Sequence, residues 1–232
     1  MHLFYTPLIT ESDIFLPEEE SAHCIRVMRM KKGDLISSTD GKGAFYKAEI
    51  TDPNPKKCGI TIKERQLVNP PDFYIHIAIA PTKNMDRMEW FVEKAVEIGI
   101  QQISFLQCEH SERQVLKMER IEKIAISAMK QSQKAFLPYI CALVPFKEFA
   151  AKNIVGQKFV AHLEEGVKQH LKFAVDPKGN YTVLIGPEGD FSVKEIALAI
   201  KNGFVPVTLG ESRLRTETAG IAACMLLNFI NA

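Results

Sequence analysis

A chain of 232 residues that is 46% hydrophobic and 25% charged can bury one large core or two modest ones, which excludes an intrinsically disordered protein. Its formal net charge of +1 and pI near 7.6 exclude a global field that draws the protein to nucleic acid, so any RNA contact has to come from a local patch. The five cysteines are odd in number, scattered and without a C-x-x-C pair, which argues for a reducing cytosol and against a disulfide frame or zinc site.

The opening MHLFYTPLITESDI has neither a basic segment nor a long apolar core, and no run approaches the length of a membrane span, so secretion and membrane insertion are not expected. Leu16-Pro17-Glu18-Glu19-Glu20 opens a short helix that carries Ala22 to Arg29. From Ser21 to Gly33 there is no acidic residue, while Arg26, Arg29, Lys31 and Lys32 cluster; a solvated face and an RNA patch both fit. Three strands follow, at 34–39, 43–50 and 58–64, punctuated by Asp40-Gly41-Lys42-Gly43 and Asp52-Pro53-Asn54-Pro55. That pattern predicts a small β-barrel over residues 1–68.

Asn69-Pro70-Pro71-Asp72 reads as a linker, because two prolines stop both a helix and a central strand. After it, residues 73–80 form a buried-strand run, and Met88, Phe91, Val92, Ala95 and Val96 mark one face of a helix ended by Gly99. Further strands are predicted at 103–106, 139–143, 158–162, 181–185 and 204–209, with helices at 118–135, 192–203 and 217–230. Alternation of this kind predicts an α/β domain over 73–232, with a largely parallel sheet between two helix layers.

Two glycine-bearing segments dominate that domain: Ile185-Gly186-Pro187-Glu188-Gly189-Asp190-Phe191-Ser192, and Leu209-Gly210 leading through Arg213-Leu214-Arg215-Thr216-Glu217-Thr218. Gly186 and Gly189 are able to take positive φ, and Ser192 with Glu195 has capping-box spacing, so a strand ends before the glycines and a helix starts after them. Ligands of open α/β sheets collect at such strand ends. A tight turn without a ligand also fits the first segment alone. No G-x-G-x-x-G, Walker loop, nucleophile elbow or histidine pair at metal-ligand spacing is present, which sets aside nicotinamide, nucleotide-triphosphate, serine-hydrolase and metal chemistry.

Three polar groups are further candidates. Lys83, Arg87 and the Glu89, Glu93, Glu97 series flank one helix, and Glu112-Arg113 follows a strand end. Gln131-Ser132 closes a long helix, where it either reads a base edge or caps the helix.

Taken jointly, the paired glycine segments resemble the ribosomal RNA small subunit methyltransferase E family. His23-x-x-Arg26-Val-x-Arg29, Asp40-Gly-x-Gly43, Lys83 with Arg87, Glu93 to Gly99, Glu112-Arg113, Gln131-Ser132 and Pro138 extend the resemblance over nearly the whole chain. It implies S-adenosylmethionine-dependent methylation of a uridine N3 in the decoding region of 16S rRNA. It also implies a cytoplasmic homodimer of the SPOUT superfamily, with a trefoil-knotted methyltransferase domain and a PUA-like barrel, and no metal. The implied cofactor contacts are His162, Leu163, Glu164, Ile185, Gly186, Pro187, Glu188, Gly189, Leu209, Gly210, Leu214, Arg215 and Thr218. RNA is assigned to Arg26, Arg29, Lys31, Lys32, Lys83, Arg87, Arg113, Gln131 and Ser132. For catalysis, Arg215 is expected to donate to a uracil oxygen, and Glu217 to accept the N3 proton or orient Arg215; a purely structural Arg215–Glu217 pair is the alternative. The rival functions are a methyltransferase acting on tRNA or another rRNA position, and a non-catalytic RNA-binding or assembly protein. Asp190 stands where the family often has glycine, Lys134 where it often has arginine, and Lys130 where it often has glutamate.

Overall fold

A computed structural model describes residues 2–9, 14–163 and 169–232. The chain forms two compact units: residues 1–70 with 126–137, and residues 71–125 with 138–232. The first therefore takes in a stretch, 126–137, that lies within the span 73–232 assigned to the α/β domain from sequence.

The first unit is built on a five-stranded sheet. Its strands are β1 (Leu3–Tyr5), β2 (Ile14–Phe15), β3 (Leu35–Thr39), β4 (Ala44–Asp52) and β5 (Gly59–Leu67), in the order β1-β3-β4-β5-β2. Alternation along β4 turns Ala44, Tyr46, Ala48 and Ile50 inward. They join a core that includes Phe4, Leu16, Cys24, Ile36, Cys58 and Ile60. Register shifts on β4 at Lys47/Ala48 and Ile50/Asp52 bend the sheet toward a half-barrel. The expected single helix after Leu16 is instead two pieces, α1 (Glu18–Ala22) and a π-turn at His23–Val27. Arg29 follows at φ +56°.

The second unit opens with β6 (Tyr74–Ile79), α2 (Met85–Ile98), β7 (Gln102–Gln107), the first half of α3 (Met118–Gln131, whose residues from 126 on count with the first unit), β8 (Tyr139–Pro145), α4 (Phe146–Ala150) and β9 (Gln157–Ala161). It continues through β10 (Gln169–His170), α5 (Leu171–Ala174), β11 (Asn180–Ile185), α6 (Val193–Lys201), β12 (Val205–Thr208) and α7 (Thr216–Ile230). All its strand pairs are parallel, in the order β10-β12-β9-β11-β6-β7-β8. One face buries Ala78, Leu106, Val160 and Leu184 against Phe146 and Phe149 of α4, Ile196 of α6 and Phe191 just ahead of α6. On the other face α7 packs on α2 and on β6. The local signals that start the helices are visible. Asn84 accepts from the Asp86 N–H ahead of α2, and Ser192 with Glu195 forms the capping box of α6.

Candidate functional site

The carboxyl ends of β9, β11 and β12 converge on a cavity of about 260 Å³. Strand pairing explains the convergence: β9 lies between β12 and β11, so three successive strand-to-loop exits meet at one edge. Ala161, His162 and Leu163 form the first wall; Ile185, Gly186, Pro187, Glu188 and Asp190 form the second. The third is Val207 to Gly210, then Ser212 to Thr216, with Ala219 of α7 behind. The walls combine aliphatic side chains with open main chain and the exposed cations Arg213 and Arg215.

The loop after β11 is shaped by space rather than by glycine torsions. Neither Gly186 nor Gly189 has a positive φ; the left-handed residue is Asp190, at φ +61°. Glycine is favoured at 186, where a Cβ would lie 3.1 Å from Phe191 N and 3.2 Å from Asp190 Oδ1, a tight fit against main chain. At 189 a Cβ would come within 3.2 Å of His110 Cβ.

Carboxylates stitch this loop to its neighbours. Glu188 Oε1 accepts from the Lys83 N–H at 3.0 Å, and Glu195 accepts from the N–H groups of Glu109 and Ser192, each at 2.9 Å. His110 Nδ1 sits 3.1 Å from the Gly189 carbonyl and 3.0 Å from that of Asp190, so this nitrogen carries the proton. The Asp190 carbonyl contact is the first cause that raises the His110 pKa; burial opposes it.

Of the residues assigned to the cofactor from sequence, His162, Leu163, Ile185 to Glu188, Leu209, Gly210, Leu214 and Arg215 lie on these walls. Gly189 and Thr218 are not among the lining residues, and Glu164 lies outside the described residues. Wall residues that sequence reasoning missed, such as Val207, Thr208 and Ser212, are direct neighbours of assigned ones. Extending each strand end by two residues finds them.

The two residues assigned to catalysis part company. Arg215 is exposed on the wall, and its guanidinium has no hydrogen-bond or ion-pair partner among the described residues. Glu217, 6% exposed in the first turn of α7, is not a wall residue, and its Oε1 lies 3.8 Å from Arg87 Nε. The Arg215–Glu217 pair considered from sequence is therefore not formed.

The RNA candidates fall in both units. In the first, Arg26, Arg29, Lys31 and Lys32 are all exposed. Gln131 is exposed there too, but Ser132 Oγ donates to the Ala128 carbonyl at 2.6 Å, so the hydroxyl caps its own helix. In the second unit Lys83 Nζ pairs with Glu112 at 2.7 Å across exposed side chains. Arg113 donates to the Thr82 and Lys83 carbonyls, which commits its guanidinium to holding the chain ahead of α2. Among the described residues no group of histidine, cysteine and acidic side chains is arranged to hold a metal.

Residues 69–228 match the family described as an RNA methyltransferase domain, and residues 16–63 match an RNA methyltransferase PUA domain. The chain is 29% identical over 221 residues to ribosomal RNA small subunit methyltransferase E of Buchnera aphidicola from Acyrthosiphon pisum, covering 92% of this chain and 86% of that one. The crystal structure of a probable rRNA-methyltransferase from Porphyromonas gingivalis is 42% identical, with a TM-score of 0.94, over 100% of this chain and 98% of that one. A ribosomal RNA small subunit methyltransferase E from Neisseria gonorrhoeae, solved with S-adenosyl methionine bound, is 26% identical with a TM-score of 0.86 over 100% and 98% of the two chains. With both domains matched in order and along its length, the chain belongs to the ribosomal RNA small subunit methyltransferase E family.

Proposed function

We propose that this protein methylates N3 of a uridine in the decoding region of 16S rRNA, with S-adenosylmethionine as donor. The observation that carries the reading is the strand-end cavity with Arg215 exposed on its wall, in a chain that aligns end to end with a relative crystallised with S-adenosyl methionine. The residues present fit that cofactor. The cavity approaches the lower end of the roughly 300–1,000 Å³ range of small-molecule sites. Ile185, Leu209 and Leu214 offer apolar surface for a base, and main-chain groups around Gly186 and Gly210 offer hydrogen bonds.

Bound there, S-adenosylmethionine supplies a sulfonium methyl group, an electrophile for in-line displacement. The protein's tasks are to hold uracil N3 behind that carbon and to ease loss of the N3 proton. Positioning is worth about 7–11 kcal/mol at best. Arg215 donates to a uracil oxygen as negative charge develops on the imide, a contribution of about 3 kcal/mol for a well-placed donor. The N3 proton passes to solvent, the N–C bond forms and the C–S bond breaks. Glu217, away from the cavity wall, serves by fixing Arg87 rather than by touching the base. N3 lies on the Watson–Crick edge, so the uridine has to be unpaired or flipped out.

The same reading assigns the exposed run Arg26, Arg29, Lys31 and Lys32 to RNA backbone, in a unit whose residues 16–63 match a PUA domain. It includes a cytoplasmic homodimer; the dimer is supported by Met225 and Phe229, apolar side chains 56% and 80% exposed on α7. No described helix is long and apolar enough to cross a membrane. It includes a trefoil knot, supported by the path from β12, next to the sheet edge, back to α2 and β6 near its centre. Mass spectrometry of small-subunit rRNA from a strain lacking the gene tests the function: 3-methyluridine is expected to disappear and to return on complementation. Its persistence refutes the assignment.

A further inference from the structure

Asp190 lies on the second wall of the cavity but is not among the cofactor contacts assigned above, and both its backbone and its side chain are constrained. Its backbone sits at φ +61°, which glycine adopts freely and an L side chain adopts only at a cost. The carboxylate is committed on both oxygens. Oδ1 accepts from the Phe191 N–H at 2.7 Å, and Oδ2 accepts from the Leu163 N–H at 2.7 Å.

Those two amides belong to different parts of the cavity. Leu163 is on the wall that follows β9, while Phe191 is anchored in the core beneath α4 and α6. The β9–β11 ladder ends at the pair Ala161 and Ile185, so beyond it the two walls need another tie. Asp190 supplies one, as a charge-assisted pair of hydrogen bonds. From the outer side, His110 holds the carbonyls of Gly189 and Asp190, which fixes the peptide from which the carboxylate projects.

We propose that Asp190 is a positioning residue for the cofactor: its carboxylate holds the Leu163 wall against the glycine loop at the separation that S-adenosylmethionine requires. The proposal rests on the cofactor reading of the cavity. It accounts for a side chain held in a left-handed conformation where glycine would fit without strain. The backbone cost is accepted because glycine has no carboxylate to offer Leu163.

The full-length protein, Asp190→Gly and Asp190→Asn are compared by calorimetric titration with S-adenosylmethionine, by thermal unfolding without ligand and by hydrogen exchange at the Leu163 amide. Asp190→Gly removes the carboxylate and the backbone strain together. It is expected to unfold no lower than wild type, to bind S-adenosylmethionine about tenfold more weakly and to exchange the Leu163 amide faster. Asp190→Asn, which tolerates the same φ, is expected to lie between the two and serves if the glycine variant does not fold. Wild-type affinity in both variants overturns the proposal while leaving the cofactor reading in place. Tighter binding also overturns it, since the carboxylate would then be competing with the cofactor for the Leu163 amide. No heat with wild type overturns the cofactor reading itself, and the proposal with it.

Discussion

Glu217 Oε1 lies 3.8 Å from Arg87 Nε, across the contact between α7 and α2, and Glu217 Oε2 is buried with no hydrogen-bond partner among the described residues. The start of α7 favours a negative charge, but a carboxylate that is 6% exposed still depends on its cation. Arg87→Ala should destabilise the protein by about 1–2 kcal/mol. That is less than the roughly 3–5 kcal/mol for a fully buried pair, because the Arg87 side chain is 36% exposed and the separation is long. Adding Glu217→Gln to that variant should recover most of the loss, since no charge is then left uncompensated. Denaturant melts of the four members of the cycle measure this; two additive losses would show that the pair is not coupled.

The same helix contact makes a second prediction. A Cβ on Gly220 would sit 2.6 Å from Phe91 Cε2 and 3.0 Å from Ile79 Cδ1. Alanine gains up to about 1 kcal/mol over glycine inside a helix. Overpacking a core costs about 1–3 kcal/mol, and here it falls on the buried ring of Phe91 and on a central strand. Gly220→Ala should therefore lower the melting temperature despite its better helix propensity. A rise would show that α7 is free to move away from α2.

Much of this architecture is legible in the sequence, because apolar runs and caps are local signals. The β6 and β11 runs carry Val and Ile, and glycines mark the exits at Gly186 and Gly210, so a binding edge is legible there; the individual cofactor contacts, His162 to Glu164 among them, come from the family resemblance. The two-residue strands β2 and β10 and the short helices α4 and α5 carry too few residues for any period to register. The π-turn at His23–Val27 is indistinguishable from ordinary helix in sequence because five residues are too few for a shift in period to register. Sequence allows positive φ at Gly186 and Gly189, but the left-handed residue is Asp190; it allows an Arg215–Glu217 pair as an alternative, but the cation beside Glu217 is Arg87 on α2. Both depend on contacts between segments distant in sequence, which local pattern does not encode.

His76, 6% exposed on β6, should set an acid limit on stability. Its Nε2 is 2.8 Å from Ser104 Oγ on β7, and its Nδ1 is 3.5 Å from Thr182 Oγ1 on β11. Burial, with a smaller push from the Lys152 charge, lowers its pKa from 6.5 to about 4. The unfolded chain therefore takes up a proton between those values that the folded chain refuses. Stability is fully present above pH 6.5 and is lost as pH falls toward 4, by up to about 3 kcal/mol. Unfolding free energies measured across that window should slope downward with acidity in wild type and less steeply in His76→Gln. Parallel slopes would mean that His76 is not the titrating group.

Arg215 tests the division between binding and chemistry. It is exposed at the cavity wall and has no partner among the described residues, so its removal leaves no buried charge behind. Arg215→Ala should leave S-adenosylmethionine affinity within about threefold and cut methyl transfer by about 10²–10³, the usual cost of losing a donor aimed at developing charge. Transfer of labelled methyl groups to small-subunit RNA, with calorimetry alongside, separates the two effects. Unchanged turnover would remove Arg215 from the chemistry.

The exposed cations of the first unit should act on RNA as point charges rather than as readers of sequence. Arg26, Arg29, Lys31 and Lys32 lie within seven positions, with Asp34 turned to the Lys31 N–H at 2.7 Å rather than to any of the four side chains. Each cation that contacts a single-stranded phosphate adds about 0.7 to the slope of log affinity against log salt. Replacing all four by glutamine should therefore weaken RNA binding at low salt and flatten that slope by up to about 3, with the loss nearly the same for different RNA sequences. Thermal stability should stay close to wild type, because none of the four is buried and none forms an ion pair among the described residues. Filter binding at several salt concentrations reads both quantities. An unchanged slope would make this run a solvated face, and the RNA contact would then have to be sought at Lys83 and Arg87 in the second unit.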